Sequence, residues 1–148
     1  MKQSRNEILR VAQDFDNAIE TREIKRILSY FSDDCRIELL GVTLTGMEGA
    51  RKWLNWMFQN TAEITLEPIT IMVNGNTFFE EFIVKATLND GSKIESKQAE
   101  VLIFKDYKVR NLRLYFDRLD FAKVVARGFI SRRIVRRLIQ KSLEGLNA

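Results

Sequence analysis

A chain of 148 residues with 45% apolar and 30% charged side chains has the size and composition of one globular domain, which excludes a disordered chain. No run approaches the ~20 apolar residues of a spanning helix, and the first residues lack the apolar centre of a signal peptide, so we expect a cytoplasmic protein. The sequence has no histidine and one cysteine, Cys35, which excludes Ser–His and Cys–His nucleophiles, ordinary zinc sites and an internal disulfide.

The net charge of +4 is unevenly distributed along the chain. From Arg118 onward eight cations accompany two anions, so this segment carries +6 and residues 1–117 carry −2. The basic character therefore belongs to the C-terminal segment. We divide the chain into a main domain, residues 1–117, and a basic helical extension, residues 118–148, that we expect to pack on the same domain.

Three helices are predicted in the first sixty residues. Ser4 and Glu7 have the spacing of a capping box, and one helical face follows at Ile8, Val11, Ala12, Phe15, Ala18 and Ile19. A shorter second helix carries Ile24, Ile27, Leu28 and Phe31. Residues 32–34 predict a polar stop, and residues 35–42 predict a strand that buries Cys35. Thr45 and Glu48 repeat the capping pattern and open a third helix that runs to Asn60.

After the third helix the pattern changes to long strands. Residues 64–73, 76–89, 92–105 and 108–117 alternate as strands, and the turn signals Asn74-Gly75, Asp90-Gly91 and Asp106-Tyr107 separate them. Pro68 marks an edge, a bulge or a kink in the first of these strands. Because long strands twist and bend, we expect a four-stranded antiparallel meander that curls around the helices as an α+β cone.

The order of these elements resembles the cone fold of the nuclear transport factor two-like superfamily. The stretch SYFSDDCRIELLG is similar to the entry into the family's first strand, and TGMEGARKWL is similar to its third helix. The ending NLRLYFD resembles that of the SnoaL-like polyketide cyclases and limonene-epoxide-hydrolase-like proteins. The resemblance covers about residues 5–120 and implies a cone-shaped roll with a pocket.

The resemblance also implies positions for catalytic groups. In the epoxide hydrolase branch, the last Asp of an Asp–Arg–Asp set would fall near Leu114, and the Arg and the first Asp near Glu81 and Ile83; all three residue types are lost here. In the ketosteroid isomerase branch the general base would fall near Leu39, beside Glu38, and the donor tyrosine near Phe15. The buried acid of that branch would fall near Glu100, which is the one position that still carries a carboxyl group.

Glu100 is the first candidate for acid–base chemistry. On the last strand Leu112, Leu114 and Phe116 share one face, and the resemblance places that face inside. Alternation on the neighbouring strand adds Gln98, Glu100, Leu102 and Phe104. A carboxyl group among leucine and phenylalanine side chains has a raised pKa, so its neutral form can donate a proton. The alternative is that Glu100 pairs with a cation on an exposed or dimer-facing side.

Two further carboxyl positions are candidates. Glu38 would lie at the mouth of the cone, unless it pairs with Arg36 on the same face. Glu80 and Glu81 are adjacent, so one points inward and the other outward; their apolar neighbours favour Glu80 inside, and the resemblance favours Glu81. We therefore name Glu100, Glu38 and Glu81 as candidate catalytic residues. For Asp117 we expect an N-cap role.

Our working hypothesis is a homodimer, formed through the sheet, that binds a small and largely apolar molecule. The expected pocket wall consists of Phe15, Trp53, Met57, Gln98, Leu102, Phe104, Leu112, Leu114 and Phe116. Isomerisation, cyclisation or hydration by acid–base chemistry would need no cofactor, and we expect no metal. We expect no specific nucleic-acid partner, because aromatic and basic residues do not interleave on an exposed sheet.

The extension is amphipathic, and Gly128 is expected to break it into two helices. Its apolar residues gather on one side at helical spacing: Phe121, Val125, Val135, Leu138, Ile139, Leu143 and Leu146. Either this side packs on the cone or a dimer partner, or residues 118–146 make weak contact with an anionic membrane. The competing hypothesis for the whole chain is a non-catalytic scaffold whose basic extension docks to a membrane or a protein.

Overall fold

The computed structural model describes residues 2–146, which form two compact units that divide between Phe116 and Asp117. The helices of the first unit are α1 (Arg5–Glu20), α2 (Ile24–Ser29) and α3 (Gly46–Gln59). Its strands are β1 (Phe31–Leu39), β2 (Val42–Thr45), β3 (Thr61–Asn74), β4 (Thr77–Leu88), β5 (Lys93–Lys105) and β6 (Lys108–Phe116). The second unit contains α4 (Arg118–Val125) and α5 (Phe129–Ser142).

The described strands of the first unit form one sheet in the order β2-β1-β6-β5-β4-β3. The predicted meander of β3 to β6 is confirmed, and every neighbouring pair within it is antiparallel. The β1–β2 hairpin extends the sheet because β1 pairs with β6 in parallel. The sheet is open and curved, and it carries the helices as an α+β cone.

Tight turns connect the strands of the meander at Gly75-Asn76, one residue beyond the predicted Asn74-Gly75, and at Asp106-Tyr107, as predicted. Gly75 adopts a positive φ of 58°, and Asp106 and Tyr107 adopt positive φ values of 51° and 58°. These values match the turns whose twist suits a two-residue hairpin. Pro68 lies on the edge strand β3, at a shift in the register with β4. Pro68 therefore lies both on an edge strand and at a bulge, which are two of the positions expected for a proline in a sheet.

The sequence prediction is wrong at the start of the sheet. The polar residues 32–34 lie inside β1, which begins at Phe31, and the predicted strand 35–42 breaks at Leu40. Phe31 is buried opposite Val109, and the register shifts before Arg36, so the polar residues between them bulge toward solvent. A second prediction also fails, since neither Ser4 nor Thr45 makes a side-chain cap hydrogen bond.

The hydrophobic core lies between the sheet and the helices of the first unit. All six apolar residues predicted for α1 are buried in it. The ring of Phe15 stacks on Trp53 at 6.4 Å between centroids and meets Phe31 edge-on at 5.6 Å. Cys35 is buried as predicted, and its thiol donates to the carbonyl of Gly46 at 3.4 Å. Aromatic packing therefore fixes α1 and α3 against β1.

Gln3 links the start of the chain to the turn between β5 and β6. Its amide nitrogen donates to the Phe104 carbonyl at 3.0 Å, and its oxygen accepts from the Tyr107 amide at 2.6 Å. The Ser4 amide donates to the Tyr107 hydroxyl at 2.9 Å. The β5–β6 turn is thus bound to the residues that precede α1.

The second unit is helical, as predicted, and breaks at Gly128, whose φ is 83°. The predicted cap at Asp117 is confirmed, because its carboxylate accepts from the Leu119 amide at 2.8 Å. None of the described residues of α5 is buried. Across residues 2–146, no helix combines the length and hydrophobicity needed to cross a bilayer.

The close approach of α3 to β2 yields a stability prediction. A Cβ added at Gly49 would lie 2.9 Å from the carbonyl carbon of Leu44, which is backbone and cannot rotate away. We expect Gly49→Ala to lower the free energy of unfolding by about 1–3 kcal/mol, because overpacking outweighs the gain in helix propensity. Urea unfolding measures the effect. The control Asn55→Ala, at an exposed position of α3, should be neutral or stabilising, and equal behaviour of both variants would contradict the prediction.

Candidate active site

Three carboxyl groups from three elements meet on the inner face of the first unit. Asp16 comes from α1, Glu80 from β4 and Glu100 from β5, and oxygens of all three lie within 4.8 Å of one another. The antiparallel register places Glu80 directly opposite Glu100. Asp16 reaches them because α1 packs across β3 and β4. Among the residues that the structure describes, this is the one such grouping of acidic side chains.

The surroundings of this acidic cluster are mostly apolar. On the same face Phe78 and Phe82 flank Glu80, and Leu102 flanks Glu100 on one side with Gln98 on the other. Leu114 of β6 lies directly opposite Glu100. The solvent-exposed fractions of Glu80 and Glu100 are only 2% and 6%, whereas Asp16 is half-buried. An ionised carboxylate in such a setting loses most of its hydration.

Burial and mutual repulsion raise the pKa of each member of the cluster. Loss of hydration, reinforced by the charge of Glu80, raises the pKa of Glu100 to about 8. Burial, followed by the charges of Glu100 and Glu80, raises the pKa of Asp16 to about 10. Burial also raises the pKa of Glu80, but a hydrogen bond from Asp16 opposes this shift. At neutral pH Asp16 and Glu100 therefore keep their protons, and Glu80, whose charge raises the pKa of both, is the first of the three to ionise.

Two buried polar atoms of the first unit have no hydrogen-bond partner among the described residues: Oε1 of Glu100 and Nε1 of Trp53. Buried polar atoms are almost always hydrogen-bonded, so an unpaired one calls for an explanation. The Glu100 oxygen belongs to a carboxyl that is protonated at neutral pH, so it can exchange a proton with a molecule beside it.

The oxygens of the same three carboxyl groups are also close enough together to bind a hard cation such as Mg²⁺ or Ca²⁺. A cation would have to displace the protons that Asp16 and Glu100 hold at neutral pH. The three carboxyl groups therefore suit proton transfer better than metal binding. That the protein binds no metal stays a prediction.

The structure separates the other candidate acids from Glu100. Glu38 on β1 accepts from Arg36 at 3.2 Å, which is the pairing that the sequence offered as its alternative. Glu81 points to the opposite face of β4, where Thr70 donates to it at 3.4 Å. The even positions of β4 face inward, since Phe78, Glu80 and Phe82 are all buried. Glu80, not Glu81, is thus the neighbour of Glu100.

The residues expected to form a pocket wall fall into two groups. Phe15, Trp53, Leu102, Phe104 and Leu112 are buried in the core and packed against one another. Gln98 is buried too, and its amide donates to the Ser96 hydroxyl at 3.3 Å. Met57, Leu114 and Phe116 are half-buried and pack against the core from its edge. A molecule next to the acidic cluster would meet this half-buried group first; the pocket itself stays a prediction.

Asp16 was not anticipated from the sequence. It follows Phe15 in α1, and the face predicted for that helix contained only apolar residues. One signal was present: Asp16 continues the i, i+4 row of Ile8 and Ala12, both of which are buried. An acidic residue in line with a buried row indicates either a polar edge or a site, and only the tertiary structure distinguishes them.

Comparison with known proteins identifies a family and structures with the same fold. The sequence profile of the SnoaL-like domain family matches residues 12–112. No curated protein is significantly similar in sequence. An NTF2-like protein of unknown function from Burkholderia pseudomallei superposes with a TM-score of 0.74 at 16% identity, covering 82% of this chain and 98% of its own.

Two structures with enzymatic names share the fold as well. An LEH-like epoxide hydrolase from Mycobacterium tuberculosis superposes with a TM-score of 0.70 at 19% identity, over 87% of this chain and 96% of its own. The putative hydroxylase AclR from Streptomyces galilaeus gives 0.70 at 17% identity, over 77% and 91%. At these identities the likeness shows the fold alone.

The acidic cluster predicts how stability depends on pH. Between the ordinary pKa of a glutamic acid, 4.5, and the folded-state pKa of about 8, Glu100 binds a proton that the unfolded chain has lost. The contribution of Glu100 to the free energy of unfolding is therefore fully present below pH 4.5 and is lost as pH rises toward 8. We expect Glu100→Gln to flatten this decline and to stabilise the protein at pH 8 by about 1–3 kcal/mol.

Urea unfolding at pH 5, 7 and 9 measures the decline. The matched control is Glu95→Gln, at an exposed position of the same strand, which should retain the decline. Parallel profiles for the wild type and Glu100→Gln would contradict the proposed protonation.

Proposed function

The chain belongs to the SnoaL-like domain family, and we propose that it is a cofactor-free acid–base enzyme acting on a small, largely apolar molecule. The observation that carries the proposal is the buried cluster of Asp16, Glu80 and Glu100. It places Glu80, the first of the three to ionise, within 4.8 Å of the protonated carboxyl of Glu100, and a base beside an acid is what general acid–base catalysis requires.

Each carboxyl has a distinct role in this proposal. Glu80 is the base: its carboxylate removes a proton from a carbon next to a polarised oxygen of the substrate. Glu100 is the acid: its carboxyl protonates that oxygen, so that no full negative charge develops in the apolar site. Return of the proton from Glu80 to another carbon, with recovery of the Glu100 proton, completes an isomerisation.

Asp16 is a positioning residue in this scheme. Its protonated carboxyl hydrogen-bonds to Glu80 and opposes the rise in the pKa of Glu80 that burial causes. Glu80 thus ionises before Asp16 and Glu100 while remaining poorly hydrated. A poorly hydrated carboxylate is a stronger base than one in water, because the neutral form is favoured once it takes the proton.

The cluster favours this proposal over a non-catalytic scaffold. Burying ionisable groups together costs stability, and strongly perturbed pKa values concentrate at functional sites. A module that only binds partners through its surface has no need of this arrangement. The names of two structures with the same fold, an LEH-like epoxide hydrolase and an epoxide hydrolase/cyclase-like enzyme, add support.

The base role can be tested without knowing the natural substrate. The probe is 5-nitrobenzisoxazole, a small apolar molecule whose ring opens when a carboxylate removes its carbon-bound proton, and whose product absorbs visible light. We expect the wild type to accelerate this reaction and Glu80→Gln to lower the rate by about a hundredfold, which is the usual contribution of a general base.

The matched control is Glu81→Gln, which removes the neighbouring carboxylate on the opposite face of β4. We expect its rate to equal that of the wild type. Equal rates for Glu80→Gln and the wild type, or a larger loss in Glu81→Gln, would contradict the assignment of the base.

A further inference from the structure

The second unit presents an exposed apolar row. Ile130, Ile134 and Leu138 recur at i, i+4 and i+8 of α5 and therefore lie along one side of the helix. Their exposed fractions are 74%, 55% and 55%. A row of large apolar side chains left in water on a fourteen-residue helix marks a surface that binds something.

A basic row runs beside the apolar one. This row has the same i, i+4, i+8 spacing and consists of Arg133, Arg137 and Lys141. Each of them follows a residue of the apolar row by three positions, so the two rows are neighbours on the helix surface. All three are exposed, and long basic side chains can extend past an apolar row to reach a polar layer above it. No acidic residue occurs between Asp120 and Glu144, so nothing on α5 itself neutralises these cations.

From these two rows we propose that α5 binds the surface of an anionic phospholipid bilayer. The helix would lie in the plane of the interface, with Ile130, Ile134 and Leu138 below the headgroups. Arg133, Arg137 and Lys141 would contact lipid phosphates along the same side. The inference is independent of the proposed chemistry, because it uses no residue of the acidic cluster.

Charge complementarity selects this occupant over the alternatives. A second copy would bring five cations of α5 against five others and would be repelled. A nucleic acid would be bound by the arginines but would leave the isoleucine and leucine row in water. An anionic bilayer offers both an acyl layer for the apolar row and phosphates for the basic row.

The start of the helix fits this geometry. Gly128, with its φ of 83°, separates α4 from α5 and lets α5 take its own direction. Phe129 and Ile130 follow at once and are among the most exposed large apolar residues of the described chain. Phenylalanine, like leucine, is typical of the apolar face of an interfacial helix.

Co-sedimentation of the full chain with vesicles tests the proposal. We expect binding to phosphatidylcholine vesicles that contain one-third phosphatidylserine, weakening as salt is added, and little binding to phosphatidylcholine alone. The double variant Ile134→Gln with Leu138→Gln should weaken binding at least about tenfold, since it removes two inserted side chains. Arg133→Gln with Arg137→Gln should weaken it by about twentyfold.

The control is Ile69→Gln with Met72→Gln, which removes two exposed apolar residues from β3 and should leave vesicle binding unchanged. Circular dichroism verifies that each variant keeps its helix content. Three results would overturn the proposal: equal binding to neutral vesicles, unaltered binding by the Ile134 and Leu138 double variant, or binding to a DNA oligonucleotide with none to vesicles.

Discussion

The acidic cluster depends on one constraint: three carboxyl groups cannot all ionise in an apolar interior. The β4–β5 register brings Glu80 against Glu100, and α1 adds Asp16 above them. Register is strict here, because a slip by one residue would turn Glu80 and its buried phenylalanine neighbours outward and bring Glu81 in. The tight turns that set the register therefore also determine which acid is buried, and with it the protonation of the whole site.

Features with a local cause could be predicted from the sequence. Alternation placed Gln98, Glu100, Leu102 and Phe104 on one buried face, and turn residues located the hairpins. The helix break at Gly128 and the cap at Asp117 were equally local. Asp16 escaped because its role arises from contacts with residues more than sixty positions away. The choice between Glu80 and Glu81 stayed open for a related reason, since only pairing with β5 decides which side of β4 faces the core.

The two units rely on different electrostatics. In the first, burial leaves the charges of Asp16 and Glu100 poorly stabilised by water, so these two acids keep their protons at neutral pH. In the second, cations stay fully hydrated at the surface, where their charge acts over about a Debye length and is weakened by salt. An apolar substrate would itself partition into lipid, so a chain that binds both would meet its substrate where that substrate accumulates.

The parallel pairing of β1 with β6 has a consequence for how the chain matures. Strand β1 ends at Leu39. One edge of β1 pairs with β2 in the hairpin, but the other edge pairs with β6, which ends only at Phe116. A ribosome releases the chain from the N-terminus at roughly 5–20 residues per second, so β1 waits several seconds for its neighbour. During that interval its edge is unpaired, and an unpaired edge can recruit other strands. Newly made chains should therefore be most prone to aggregation before β6 emerges, and chaperone dependence should be greatest for truncations that end before it.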